Sequence, residues 1–240
     1  MKTLAIDTSN QTLAIAVVDG QNILGQSQTM AIKNHSSALM PAIDALMQAI
    51  GLVPQDLERI AVAKGPGSYT GLRIGVTTAK TLADTLRIPL VGISSLKTIA
   101  ANCIGSNQLI IPLFDARRNN VYAGGYLWQE GKLQQVIPDQ HVSLPVLLNQ
   151  LKESSYKEVL FVGADTAKFA EQIVAELPVA QVNQQSLWNY PNGVALAELS
   201  EEAEPVAVHE FVPEYLKLVE AEEKWLASHT PGAETYVEKI

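Results

Sequence analysis

One pattern occurs twice in this chain, and it restricts the fold more than any other feature. The first copy opens with two apolar strands, KTLAIDT (2–8) and TLAIAVVD (12–19), around a polar turn, and Gly20 leads into a third, ILGQSQT. SSALMPAIDALMQAIG then places Leu39, Ile43, Leu46, Met47 and Ile50 at helical spacing, with serines to cap the start and Gly51 to end it. RIAVAKG reads as an apolar strand. The helix after it carries Leu72, Gly75, Val76, Ala79, Leu82, Ala83 and Leu86 on one face, with Arg73, Thr77, Lys80, Asp84 and Arg87 opposite. The order is βββαβα.

The second half repeats that order. QLIIPLFDARRNNVYAGGYLW has the strand, aspartate, polar turn and strand of the opening, with Asp115 in the place of Asp7. EGKLQQVI supplies the third strand, SLPVLLNQLKES a short helix, and VLFVGADTAKFAEQIVAEL a strand, a Gly-Ala-Asp turn and a helix. Two such lobes face each other, with the aspartate turns and the glycine turns pointing into the cleft between them. This α/β architecture resembles the actin-like (ASKHA) superfamily of actin, hexokinase and the sugar kinases. RIPLVGI adds a strand and SSLKTIAANCIG a helix that bridges the lobes, while residues 183–210 mix turn residues with a short helix. PEYLKLVEAEEKWLAS reads as an acidic helix with an apolar stripe of Tyr215, Leu218, Val219, Trp225 and Leu226. The expected division is an N-terminal lobe over 1–100, a C-terminal lobe over 101–226 and a tail over 227–240.

Charge narrows the function classes. Residues 1–200 carry 15 acidic against 14 basic side chains, and residues 201–240 carry 10 against 3, so the body is near neutral (−1) and the end of the chain holds −7. Affinity for a phosphate backbone comes mainly from Lys and Arg, so an independent nucleic-acid binder is not expected. If the chain works on nucleic acid, a partner must supply the positive surface. The single cysteine, Cys103, sits in an apolar helical pattern and offers neither a disulfide framework nor a cysteine-based metal site. No signal peptide is read at MKTLAIDTSN, and apolar runs such as LAIAVV fall far short of the roughly 18 residues that span a bilayer, so a cytoplasmic protein with no membrane contact is expected.

KGPGSYTGLRIG (64–75) is the densest glycine segment. It lacks the Lys and Ser/Thr directly after the last glycine that a phosphate loop requires, and Gly65, Gly67 and Gly71 are spaced one residue too far for a dinucleotide fingerprint. Two readings stay open: a tight turn, or a helix start delivering N–H groups to an anion, with Ser68 or Thr70 as the cap and Lys64 and Arg73 nearby. Gly71, Gly75, Ala79 and Ala83 recur every four residues as a ridge that lets either the chain's own sheet or a partner's helix come close. Asp7 and Asp115 stand where the superfamily holds a metal–nucleotide complex, although the turns DTSNQ and DARRN lack glycine. The alternative is a strand-end aspartate bonded to turn amides. Thr8, Gly65, Gly67 and Arg117 complete the candidate nucleotide or anion cleft. His35 has Leu39 at i+4 where a helical metal pair needs a second histidine, so no metal is expected there. His141, His209 and His229 are scattered, and a hydrolytic triad has no support.

AIDTSNQTLAIAVVDG, NHSSALMP, AVAKGPGSYTGLRIGVTTAKTLA, IPLVGISSL, FDARRNNVYAG and PEYLK, in that order and nearly end to end, resemble the TsaB (YeaZ) family of bacterial tRNA threonylcarbamoyladenosine biosynthesis subunits. The resemblance implies a cytosolic, actin-like, non-catalytic scaffold. Its partners are the catalytic paralogue TsaD, which carries a metal-binding H-x-x-x-H, and the ATPase TsaE. Together they move threonylcarbamoyl from its adenylate to N6 of the adenosine next to the anticodon in tRNAs reading ANN codons. It further implies a heterodimer with TsaD through the N-terminal lobe, a homodimer when alone, and contact with tRNA only through the complex. No cofactor is expected on the chain alone, with ATP or ADP at or near the partner interface. His35, Leu39, Ile43, Met47, Gly71, Gly75, Ala79 and Ala83 are the expected interface residues. Lys217 stands where the family more often has Arg, which weakens bidentate anion contact there. The rival is an ATP-dependent small-molecule kinase or ATPase of the same fold. A metal-dependent glycoprotease has less support without a histidine pair.

Overall fold

The computed structural model of the chain describes residues 1–30 and 35–217. It contains two five-stranded sheets of equivalent order. The first is built from β1 (Lys2–Asp7), β2 (Thr12–Asp19), β3 (Asn22–Met30), β4 (Arg59–Gly65) and β5 (Leu90–Ser94), in the order β3-β2-β1-β4-β5. The second comprises β6 (Leu109–Asp115), β7 (Asn120–Gln129), β8 (Lys132–Ser143), β9 (Val159–Val162) and β10 (Ala180–Val182), in the order β10-β9-β6-β7-β8. In each, three strands meander antiparallel and two run parallel to the first. The duplicated βββαβα architecture read from the sequence is present.

Each sheet is covered on both faces, which is why its inner strands read as continuous apolar runs rather than alternating ones. Leu4, Ile6, Leu13, Ile15 and Val17 face α1 (His35–Ala49) and α2 (Tyr69–Leu86), while Ala5, Ala16, Val18 and Ala61 face the opposite way. In the second lobe Leu109, Ile111 and Phe161 pack with α4 (Leu144–Glu153) and α5 (Ala170–Glu176), and Ile110, Phe114 and Tyr126 pack against α3 (Ser95–Ala101). The two inner helices are exchanged. The helix α3, which follows the first lobe, covers the second sheet, and α6 (Gly193–Leu199), which follows the second lobe, packs on β1 and β2.

That exchange carries part of the expected C-terminal lobe (101–226) back to the first sheet. Residues 193–217 return to the first sheet: Val206 pairs with Leu90, and the Glu214 N–H donates to the Lys64 carbonyl at 2.7 Å. The Lys80 amine donates to the carbonyls of His209 and Phe211, and Lys64 pairs with Glu214 at 2.9 Å. Of the helix expected from PEYLK onward, residues 213–217 are irregular, and Leu218, Val219, Trp225 and Leu226 lie outside the described residues, as does the tail at 227–240.

The helix ends follow their sequence signals. Gly51, at φ +70°, closes α1 as a Schellman turn in which the Leu52 N–H reaches the Met47 carbonyl at 3.0 Å. Ser68 caps α2 by accepting from the Gly71 N–H. The small-residue ridge faces inward: Gly71, Gly75, Ala79 and Ala83 are all buried, and a Cβ on Gly71 or Gly75 would collide with the carbonyl oxygen or the hydroxyl of Thr8. These four residues therefore serve the chain's own packing, and a bulky side chain at Gly75 tests folding rather than partner binding. Gly75→Val is expected to destabilise the isolated chain by about 1–3 kcal/mol through overpacking, read as a lower midpoint in urea. The exposed neighbour Thr77→Val should shift it by less than about 0.5 kcal/mol.

Candidate functional site

Between the lobes lies a cleft of about 780 Å³. Its first wall is the turn after β1, and that turn is unusually well tied. The Ser9 carbonyl accepts from the Ser68 N–H at 2.6 Å, the Thr8 hydroxyl donates to the Gly71 carbonyl at 2.7 Å, and the His35 Nε2 lies 2.8 Å from the Asn10 carbonyl. A Cβ on Gly67 would strike the Ser9 carbonyl, and one on Gly65 would meet that of Glu214. The glycines of the dense segment thus admit the chain's own backbone. Ser9, Asn10, His35, Gly67, Ser68, Tyr69 and Thr70 line this side.

Asp7 is fully buried beneath the turn. Its Oδ1 accepts from the Ser9 N–H at 2.8 Å, while its Oδ2, the Ser9 hydroxyl and the His35 Nδ1 have no hydrogen-bond partner among the described residues. Burial pushes its carboxyl up to about 6, against the opposing pull of the Ser9 amide and hydroxyl and of His35.

The opposite wall comes from the turn after β6. Asp115 Oδ1 accepts from the Arg117 N–H at 2.8 Å, and its Oδ2 lies 3.0 Å from the Lys168 amine, which also meets Asp165 at 2.7 Å. Partial burial works against ionisation of Asp115, yet the Arg117 amide and Lys168 hold its carboxyl below the usual range. Asp165 fixes the same turn by accepting from the Asp115 N–H at 2.9 Å. Arg117, Arg118 and Asn119 all take positive φ, at 68°, 53° and 58°, in place of the glycine that the sequence lacks there.

Both aspartates cap turn amides, as one of the two readings held. The cleft has room for a nucleotide and the start of α2 at its edge, which would supply N–H donors to phosphate. Its glycines, however, are already occupied by the chain's own carbonyls, and Lys168 fills the space between Asp115 and Asp165.

Residues 23–225 match the family model of TsaD, tRNA N6-adenosine threonylcarbamoyltransferase. The tRNA threonylcarbamoyladenosine biosynthesis protein TsaB of Bacillus subtilis (strain 168) is 47% identical over 228 residues, covering 95% of this chain and 99% of that relative. The chain belongs to the TsaB family. TsaB of Escherichia coli (strain K12) is 26% identical over 165 residues, 68% of this chain and 71% of the relative. The solved structure of YeaZ from Pseudomonas aeruginosa matches at a TM-score of 0.75 over 90% of this chain and 99% of that one, with 22% identity, and shares the fold.

Within this TsaB-family chain the expected site residues separate into three groups. Gly67, Ser68, Thr70, His35, Asp115 and Arg117 line the cleft, and Asp7, Thr8 and Gly65 lie behind its first wall. Arg73 does not face it: its guanidinium sits 5.3 Å from the centre of the Tyr69 ring and donates to the Tyr69 hydroxyl at 2.9 Å. Leu39, Ile43 and Met47, expected at a partner interface, are buried in the core with the glycine ridge, because the apolar stripe of α1 faces its own sheet. Sequence reasoning missed Lys168, although its spacing of three from Asp165 in VGADTAK was visible. It also missed Asp139, a half-buried carboxylate on β8 that accepts from Ser94 of the first lobe and from Tyr126 and Gln135 of the second.

The raised Asp7 value has a measurable consequence. Between the ordinary carboxylate value of 3.8 and about 6 the native chain holds a proton that the unfolded chain has released. Stability contributed by this group is therefore complete at low pH and lost as pH rises through that window, by an amount on the order of 3 kcal/mol. Asp7→Asn should flatten this part of the stability profile and raise stability near neutral pH, as measured by urea denaturation across the window.

Proposed function

We propose that this chain is a non-catalytic scaffold subunit in tRNA threonylcarbamoyladenosine biosynthesis. It pairs with TsaD through its first lobe, recruits TsaE, and reaches tRNA only within that complex. The observation that carries the reading is the near full-length relationship to the Bacillus subtilis TsaB, at 47% identity. The outward faces of α1 and α2 support the interface. They expose Ser36, Met40, Pro41, Ala45 and Gln48 on one helix and Thr70, Thr77 and Thr81 on the other. Of the charged residues on these two helices Asp44, Arg73 and Asp84 are exposed, and this low density of charge, with the exposed Met40, is what the surface shares with an interface core. The outward residues replace the buried set first expected from the sequence. Alone, the chain forms a homodimer through the same surface, and ATP or ADP binds at or near the heterodimer interface.

The size of the cleft and the α2 start at its edge favour a second reading, a kinase or ATPase acting alone. Size-exclusion chromatography with light scattering, on the chain alone and mixed with TsaD with and without ATP, separates the two. The scaffold reading expects a homodimer that gives way to a mixed complex and no ATP hydrolysis by the chain alone. Ala45→Arg should abolish the mixed complex and change stability by less than about 0.5 kcal/mol. Tight ATP binding and turnover by the isolated chain, with no affinity for TsaD, would overturn it.

A further inference from the structure

The rim of the cleft carries an aromatic pair that the chain's own core does not use, and it borders the α2 surface proposed for TsaD. Tyr69, the first residue of α2, is 55% exposed, and Tyr215, on the returning segment, is 41% exposed. Their ring centroids are 5.0 Å apart with planes tilted by 33°, and Arg73 lies against the Tyr69 ring. Two partly exposed tyrosine rings held together at the edge of a cleft present a rigid aromatic surface with a polar tip, suited to contact with a planar group. Their positions are fixed from both sides: Tyr69 by the Ser68 cap, and Tyr215 by the Glu214 N–H to Lys64 carbonyl bond and the Lys64–Glu214 ion pair.

The charge around the pair is locally positive although the body of the chain is near neutral. Arg117 and Lys217 line the cleft beside Tyr69, while its two carboxylates, Asp115 and Asp165, are both engaged by Lys168. Exposed aromatic faces next to Arg and Lys are the elements with which proteins hold unpaired nucleotides, the rings stacking on bases and the cations contacting phosphates.

We propose that Tyr69 and Tyr215 form a stacking platform for an unpaired base of the RNA substrate, with Arg73, Arg117 and Lys217 contacting the adjoining phosphates. The inference rests on the proposed role in tRNA modification and deepens it by giving this subunit a direct share in substrate binding. Three cations are too few for tight binding by the chain alone, so the contribution is made inside the assembled complex.

The test uses the complex reconstituted with TsaD and TsaE and an unmodified tRNA transcript at fixed salt. Tyr215→Ala lies outside α1 and α2 and should leave assembly intact on size exclusion while weakening tRNA binding about tenfold. Tyr215→Phe, which keeps the ring, should stay within about twofold of wild type. Ultraviolet crosslinking of 5-iodouridine-substituted transcript to the wild-type complex should map to Tyr69 or Tyr215 by mass spectrometry. An intact Tyr215→Ala complex that binds tRNA as wild type overturns the platform while leaving the scaffold role standing. Disassembly of the complex by Tyr215→Ala also overturns it, since the pair is then a protein contact. A wild-type complex that binds no tRNA overturns both readings together.

Discussion

The first lobe depends on one contact, the seating of the turn after β1 against the start of α2. Thr8 and Ser9 supply a hydroxyl donor and a carbonyl acceptor to the Gly71 carbonyl and the Ser68 amide, at 2.7 and 2.6 Å. Such a close approach requires that Gly67 and Gly71, which face the Ser9 and Thr8 carbonyls, and Gly75, which faces the Thr8 hydroxyl, carry no Cβ. With the turn held, His35 can reach the Asn10 carbonyl and tie the first residue of α1 to the same point. One polar knot thereby positions the inner strand, both outer helices and a wall of the cleft. It also buries a carboxylate, Asp7, whose environment opposes its charge.

The lobes are joined by exchange rather than by a single linker. The first lobe gives α3 to the second sheet, and the second gives α6 and the segment beyond it back to the first. Gly193 permits this return, because a Cβ there would press into the backbone of Ile15 and Ala16. The Asp139 carboxyl adds a polar tie across the junction, accepting from Ser94 at the end of β5 and from Tyr126 on β7. Opening the cleft therefore means moving packed helices and a half-buried hydrogen-bond network together, which costs more than bending a loop.

The strands and outer helices were legible because their burial is written in local periodicity. Leu4 and Ile6 alternate with Ala5 between two covered faces, and Leu39, Ile43 and Met47 recur at helical spacing. What periodicity does not encode is what lies on the far side of a buried face. The ridge of Gly71, Gly75, Ala79 and Ala83 reads identically whether it meets a partner or its own sheet, and only the position of Thr8 decides the matter. The cleft was legible in part, since strand-end aspartates and a helix start announce themselves. Asp139 did not, because its partner Ser94 is 45 residues away in sequence, and Lys168 showed only its local spacing from Asp165, its second partner Asp115 lying 53 residues away.

The central claim is that the sheet-facing sides of α1 and α2 build the lobe while their outer sides meet the partner. Hydroxyl-radical footprinting with and without TsaD, at a dilution that keeps the free chain monomeric, tests it directly. Met40 on α1 is 48% exposed, and Val146 on α4 and Val174 on α5 are 47% and 52% exposed, so all three react in the free chain. Met40 should become protected on addition of TsaD while Val146 and Val174 stay reactive. Protection of the two valines with Met40 unchanged would place the partner on the second lobe and contradict the account.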